Sequence, residues 1–63
     1  MKTRYELSMY GGRRKYICIS SYSPDELLER WKNNEKSLQI HVCEDGERIE
    51  TARGNIDYIK IIK

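Results

Sequence analysis

The chain has 63 residues, of which 38% are hydrophobic and 35% are charged, and its formal net charge is +2. This length allows a single domain, 1–63, and the composition is too apolar for a disordered tail and too polar for a membrane segment. Neither a signal peptide nor a spanning helix can be recognised, so we expect a soluble, cytoplasmic protein without a membrane partner.

A tight turn joins the first two predicted strands. Apolar and polar side chains alternate over residues 3–10, which predicts a strand, and a return strand follows over residues 13–20. Gly11-Gly12 between them indicates a hairpin turn, because glycine accepts the positive φ that tight turns require.

Two registers fit this hairpin. A two-residue loop places Leu7 opposite Tyr16 and turns Ile17 and Ile19 to the other face of the sheet. A three-residue loop with a bulge places Leu7 opposite Ile17 instead, and Ile19 then shares its face. In both cases the second strand is apolar on both faces, as is the last strand.

A single helix is predicted over residues 24–33, because Ser23 can cap its first turn. The Ser23 hydroxyl can accept a backbone N–H of that turn, Pro24 suits the first helical position, and Glu26 completes a capping box. Asn33-Asn34 can end the helix in a left-handed conformation. The apolar stripe of the helix consists of Leu27, Leu28 and Trp31.

The third strand is predicted to be half-buried, because its apolar and polar side chains alternate. Its apolar face would consist of Leu38, Ile40 and Val42. Asp45-Gly46 indicates a two-residue turn, which would set Val42 opposite Ile49 on a fourth strand. His41 would then face Glu50 as a surface cross-strand pair.

Gly54-Asn55 interrupts the chain, and residues 58–62 are predicted to form a last strand. The element order ββαββ(β) predicts an α+β fold with a mostly antiparallel sheet of four to five strands and one helix on one face. A right-handed helical crossover would make the second and third strands parallel, with the first strand between them. The ending of the chain resembles the last strands of Sm-like and SH3-like small barrels. The alternative fold is therefore such a barrel with an inserted helix, and the resemblance implies no function.

Few side chains in the sequence are candidates for catalysis or metal binding. Cys18 and Cys43 are expected to be free, half-buried thiols in a reducing compartment. Together with His41 they offer three ligands without CxxC spacing, whereas zinc normally takes four. The sequence contains no phosphate-binding glycine motif. We therefore expect no enzyme activity, no cofactor and no metal site.

One helix can cover only one face of the predicted sheet, which leaves apolar side chains on the other face without cover. This predicts a small non-enzymatic protein-interaction module, such as an adaptor, regulator or inhibitor. Such a module would form a homo-oligomer, a homodimer in the simplest case, or bind a protein partner through that face. The predicted interface residues are Tyr16, Ile17, Ile19, Tyr58 and Ile59.

The alternative function is nucleic-acid binding. Residues 1–22 carry five basic side chains and one acidic side chain, so the positive charge is concentrated in the first third of the chain. Small nucleic-acid-binding domains bind phosphates with such cations and stack bases on neighbouring aromatic rings. The predicted contact residues lie around the first turn and are Tyr10, Arg13, Arg14, Lys15 and Tyr16.

Overall fold

The computed structural model describes residues 2–33 and 38–63. In chain order the elements are β1 (Thr3–Met9), β2 (Arg14–Ser20), α1 (Pro24–Asn33), β3 (Leu38–Cys43), β4 (Arg48–Ala52), a 3₁₀ turn (Arg53–Asn55) and β5 (Ile56–Ile62). The strands form one antiparallel sheet in the order β4-β3-β2-β1-β5, which confirms an α+β fold with one helix. Within the described ranges β4 and β5 are the two edges, so the sheet is open and the barrel alternative is wrong.

The order of the strands differs from the predicted crossover. β3 lies directly beside β2 and runs antiparallel to it, so the predicted parallel direction, with β1 between the two strands, is wrong. On its other side β1 pairs with β5, whose Ile56 and Ile59 side chains are buried. Because β5 occupies that edge of β1, β3 pairs with the free edge of β2. α1 connects β2 and β3 at one end of the sheet.

The first hairpin has the register of the two-residue loop. Leu7 lies opposite Tyr16, and the pairing continues without interruption along β1 and β2. Between the strands Tyr10, Gly11 and Gly12 all have positive φ angles, of 54°, 67° and 86°, and the Arg13 N–H donates to the Tyr10 carbonyl at 3.3 Å. Ile17 therefore points to the face opposite Leu7 and Tyr16.

The second hairpin has a longer loop than predicted. The Cys43 N–H donates to the Glu47 carbonyl at 2.7 Å, and the Gly46 N–H donates to the Cys43 carbonyl at 2.9 Å. Gly46 has a φ of 94°, so the loop is a three-residue turn that ends in a glycine bulge. The extra residue shifts the pairing by one, and Val42 lies opposite Arg48 rather than opposite the predicted isoleucine. A shift of one residue exchanges the two faces of a strand.

The predicted faces of β3 are consequently wrong. His41 is 5% exposed and lies opposite Ile49, not on the surface opposite Glu50. Cys43 is buried on the same face. The three apolar side chains predicted to be buried point to the other face, and they are Leu38, Ile40 and Val42.

The helix begins and packs as predicted. The Ser23 hydroxyl accepts a hydrogen bond from the Glu26 N–H at 3.3 Å, and α1 starts at Pro24. Asn33 ends the helix, whereas Asn34 lies outside the described residues. The apolar core between α1 and the sheet consists of Tyr5, Leu7, Met9, Cys18, Leu27, Cys43, Ile56 and Ile59, with Leu28 and Trp31 packed against it. Among the residues described, no helix has the length and apolarity needed to cross a bilayer.

Candidate functional site

The outer face of the sheet, which is the face opposite α1, carries a group of apolar side chains. Side chains on neighbouring strands that face away from Tyr5 and Leu7 share this face. Its apolar members are Ile17, Ile19, Leu38, Ile40, Val42, Tyr58 and Ile62. This face is the strongest candidate for a functional surface.

The most exposed part of the outer face is a row on β3. We call Leu38, Ile40 and Val42 the β3 stripe, and their exposed fractions are 73%, 50% and 41%. Val42 lies directly opposite Ile19 on β2, so the stripe continues onto the neighbouring strand. Contiguous exposed apolar side chains of this kind are characteristic of interaction surfaces.

Polar contacts cover the middle of the outer face. Arg4 on β1 reaches across β2 to Glu44 at 3.1 Å, and both side chains remain about half exposed, at 51% and 48%. The Tyr58 hydroxyl donates to the Glu6 carboxylate at 2.6 Å. Ile17 and Ile19, the cross-strand partners of Glu6 and Arg4, are only partly exposed, in contrast to the β3 stripe.

Charges of both signs surround the apolar residues of the outer face. The side chains that point to this face from the strands and the loop after β3 are Arg4, Lys15, Arg48 and Lys60, which are basic, and Glu6, Glu44 and Glu50, which are acidic. Positive and negative groups are therefore interspersed on the outer face, with one basic side chain in excess.

A cleft opens next to the β3 stripe. β2 and β3 are paired at only two positions, Cys18 with Cys43 and Ile19 with Val42. Beyond these pairs the strands separate and leave a cavity of about 420 Å³ between the end of β2, α1 and the start of β3. Its apolar lining includes Tyr22, Leu27, Trp31, Leu38 and Ile40. All three residues of the β3 stripe, including Val42, thus line the cleft.

The opposite wall of this cleft contains a buried polar network. The Tyr5 hydroxyl donates to His41 Nδ1 at 2.6 Å, and His41 Nε2 donates to Gln39 Oε1 at 3.0 Å. Both ring nitrogens are therefore engaged, and burial favours the neutral imidazole. Burial lowers the pKa of His41 and is the main cause of the raised pKa of Tyr5. The network fills the interior and offers no free base.

The predicted interface residues are divided between the two faces. Ile17, Ile19 and Tyr58 lie together on the outer face. Tyr16 and Ile59 lie on the helix side, where Ile59 is buried and Tyr16 packs against the core. The β3 stripe was not predicted, because the alternation along β3 indicated that those side chains are in the core. The signal that could have revealed them is Gly46 at the third position of a three-residue loop.

The predicted nucleic-acid contacts lie together at the tip of the first hairpin. All of them line one shallow depression, and they are Tyr10, Arg13, Arg14, Lys15 and Tyr16. Tyr10 is 49% exposed, so its ring is accessible. Arg14 Nη1 donates to the Tyr16 hydroxyl at 3.4 Å, which holds one cation beside one aromatic ring.

Within residues 2–33 and 38–63, no three His, Cys, Asp or Glu side chains lie close enough together to hold a metal ion. Comparisons with protein-family models, with curated proteins and with solved structures find no match to this chain. The function has to be inferred from the surfaces described above.

Proposed function

We propose that this chain is a small protein-interaction module that self-associates through its outer face, with a second copy of the chain as the partner. The observation that carries the proposal is the exposure of the β3 stripe, at 73%, 50% and 41% for Leu38, Ile40 and Val42. Removing these side chains from water would contribute about 1–2 kcal/mol each before the entropic cost of association.

The charge pattern of the outer face favours a second copy of the chain over a partner whose surface charges all have the same sign. A two-fold symmetric interface brings the same patch of both molecules together, so it must be complementary to itself. The outer face meets this condition because basic and acidic groups, such as Arg48 and Glu50 on β4, alternate around the apolar residues. Rotation by 180° can place the basic groups of one copy near the acidic groups of the other.

The size of the face predicts a weak dimer. Strands about 4.8 Å apart and about 20 Å long give a five-stranded sheet a footprint of about 500 Å². Two copies would bury about 1,000 Å² in total, near the lower limit for specific interfaces. We therefore expect a dissociation constant in the micromolar range, which suits a regulator or adaptor whose association responds to its own concentration.

We also propose that the module acts by binding and not by catalysis. His41 is the only histidine of the chain, and both of its ring nitrogens are engaged in the interior. The thiols of Cys18 and Cys43 are buried, and burial raises their pKa. These features support a binding role, because general bases and nucleophiles need accessible groups with pKa values near the working pH.

Sedimentation velocity on three proteins tests self-association. The unaltered chain should shift from monomer to dimer between about 1 and about 200 µM. Ile40→Lys should stay monomeric, because it places a charge in the β3 stripe, and the new lysine would face Glu50 favourably in the monomer. Glu29→Gln changes the net charge by the same amount on the exposed side of α1 and should dimerise normally. A monomer at every concentration of the unaltered chain would rule out the proposal.

Nucleic-acid binding remains a second candidate because all five predicted contacts line one depression. A fluorescent single-stranded RNA would be titrated with protein at several salt concentrations. If the depression binds phosphates, affinity should fall steeply with salt, and the double variant Arg13→Ala/Arg14→Ala should reduce the log–log slope by about 1.4. The double variant Arg48→Ala/Lys60→Ala removes two positive charges from the outer face, outside the depression, and as the matched control should leave the slope unchanged. No binding at low salt would eliminate this candidate.

A further inference from the structure

Cys18 and Cys43 are direct cross-strand partners on the helix side of the sheet. Both are free thiols, with exposed fractions of 0% and 8%. The neighbouring pair is hydrogen-bonded, since the Glu44 N–H donates to the Ile17 carbonyl at 3.0 Å. Hydrogen-bonded and non-hydrogen-bonded pairs alternate along an antiparallel ladder, so the two cysteines form a non-hydrogen-bonded pair. The hydrogen bond of the Cys43 N–H is consistent with this assignment, because its acceptor is the Glu47 carbonyl beside β4 and not a carbonyl of β2.

This type of pair has the spacing that a disulfide needs. Directly opposed residues in a non-hydrogen-bonded pair have Cα atoms about 4.5 Å apart. Disulfides are found with Cα atoms about 4.4–6.8 Å apart. A bond between Cys18 and Cys43 therefore needs no separation or sliding of the two strands.

We propose that the Cys18–Cys43 pair is a site of covalent modification by low-molecular-weight disulfides, and that its oxidation forms a cross-strand disulfide that locks β3 onto β2. The lock would act where the sheet is weakest, because β2 and β3 are paired at only two positions. The proposal is independent of the proposed function, since both cysteines lie on the face opposite the β3 stripe.

The reaction can begin at Cys43, which borders a shallow surface depression next to Lys15 and Glu44. The Cys43 thiolate attacks one sulfur of the reagent RSSR, which breaks the S–S bond and releases one RSH. The Cys18 thiolate then attacks the Cys43 sulfur, which forms the Sγ–Sγ bond and releases a second RSH. Two electrons pass from the cysteines to the reagent, and the two thiol protons end on the two RSH molecules.

The reaction should be slow at neutral pH and accelerate with alkali. Burial is the main cause that raises the pKa of Cys18 to about 12, followed by the nearby Cys43. Burial also raises the pKa of Cys43; a hydrogen bond with Cys18 lowers it in part, and the charges of Asp45 and Glu47 raise it further. Only thiolates react, so the rate should rise roughly tenfold for each pH unit below these pKa values.

Bis(2-hydroxyethyl) disulfide is a suitable reagent, because it is neutral and is not repelled by the acidic loop after β3. The reduced full chain would be incubated with it and analysed by intact mass, peptide mapping and thermal unfolding. We expect a monomer lighter by about 2 Da, a single Cys18–Cys43 cross-link, and a Tm higher by on the order of 10 °C, reversed by dithiothreitol.

Single substitutions separate the two steps. Cys18→Ala should stop at a mixed disulfide on Cys43, whereas Cys43→Ala should remain unmodified because Cys18 is 0% exposed. The peptide map and Tm of the unaltered chain keep the test valid even if a variant does not fold. The proposal is overturned if the unaltered chain accumulates stable mixed disulfides or cross-linked dimers, or if its cross-link leaves the Tm unchanged or lower.

Discussion

His41 is the residue whose protonation is most directly coupled to folding. It is the single histidine of the chain, it is 5% exposed, and its ring joins the Tyr5 hydroxyl to the Gln39 amide. Protonation would place a charge in the core and turn Nδ1 from an acceptor into a donor facing the Tyr5 hydroxyl. Burial of that charge therefore makes the fold less stable when the imidazole is protonated.

We predict that stability falls as the pH drops below about 6.5, the ordinary histidine pKa. Burial lowers the pKa of His41 in the folded state, so the unfolded chain takes up the proton first. The free energy of unfolding should decrease by up to about 1.4 kcal/mol between about pH 7.5 and about pH 5.5. Urea denaturation at a series of pH values measures this change. In the His41→Gln variant, the free energy of unfolding should change less over the same pH interval.

Nuclear magnetic resonance of the folded protein provides an independent check. The chain contains one histidine, so its ring signals need no assignment by mutagenesis. They should remain those of a neutral imidazole at pH values where a free histidine is already charged. A ring that titrates at or above its ordinary pKa would contradict the buried network.

At the scale of elements, local chemistry predicted some features to the residue. The helix begins at Pro24 because Ser23, as its cap, binds the Glu26 N–H. Gly11-Gly12 favoured a tight turn with positive φ angles, and both glycines have them. These signals are strong because the backbone groups that they satisfy lie within a few residues.

The register of the second hairpin could not be predicted from such local signals. Asp45-Gly46 fits both a two-residue and a three-residue loop, and the two loops place opposite faces of β3 in the core. Alternation favoured burial of Leu38 and Ile40, yet the structure buries His41, whose polar atoms find partners in Tyr5 and Gln39. Those partners are distant in sequence or on the same strand, and a pattern of hydrophobicity does not reveal them.

The cap on α1 gives a prediction at the element scale. Ser23→Ala removes the hydrogen bond to the Glu26 N–H and should lower the free energy of unfolding by about 1 kcal/mol. For a domain of this size, the Tm should fall by about 4–8 °C. Ser21→Ala, at an exposed position before the helix, should change the stability by less than about 0.5 kcal/mol. Equal effects of the two substitutions in thermal denaturation would argue against the cap.

At the scale of the whole molecule, the outer face follows from the number of elements. One ten-residue helix covers one side of five strands, so the second side has no covering element among the residues described. The existence of an uncovered apolar face, and Ile17, Ile19 and Tyr58 as candidate residues on it, could be predicted from the sequence. The β3 stripe, which is the most exposed part of that face, could not be predicted, because its position depends on the register of the second hairpin.

Self-association should make thermal stability depend on protein concentration. A dimer that forms only from folded chains stabilises the fold by mass action. The Tm of the unaltered chain should rise by several degrees between about 5 and about 500 µM, whereas that of Ile40→Lys should stay constant. Differential scanning calorimetry measures both. A constant Tm for the unaltered chain would mean that folded copies do not associate in this range.

The most direct test of the central claim is a dilution series followed by the methyl resonances of the unaltered chain. Isoleucines report on both sides of the sheet, since Ile17, Ile19 and Ile40 lie on the outer face while Ile56 and Ile59 are in the core. Self-association through the outer face predicts that the first group shifts between about 500 and about 5 µM and the second group does not. Methyl spectra that are independent of concentration, or changes confined to the core isoleucines, would contradict the account.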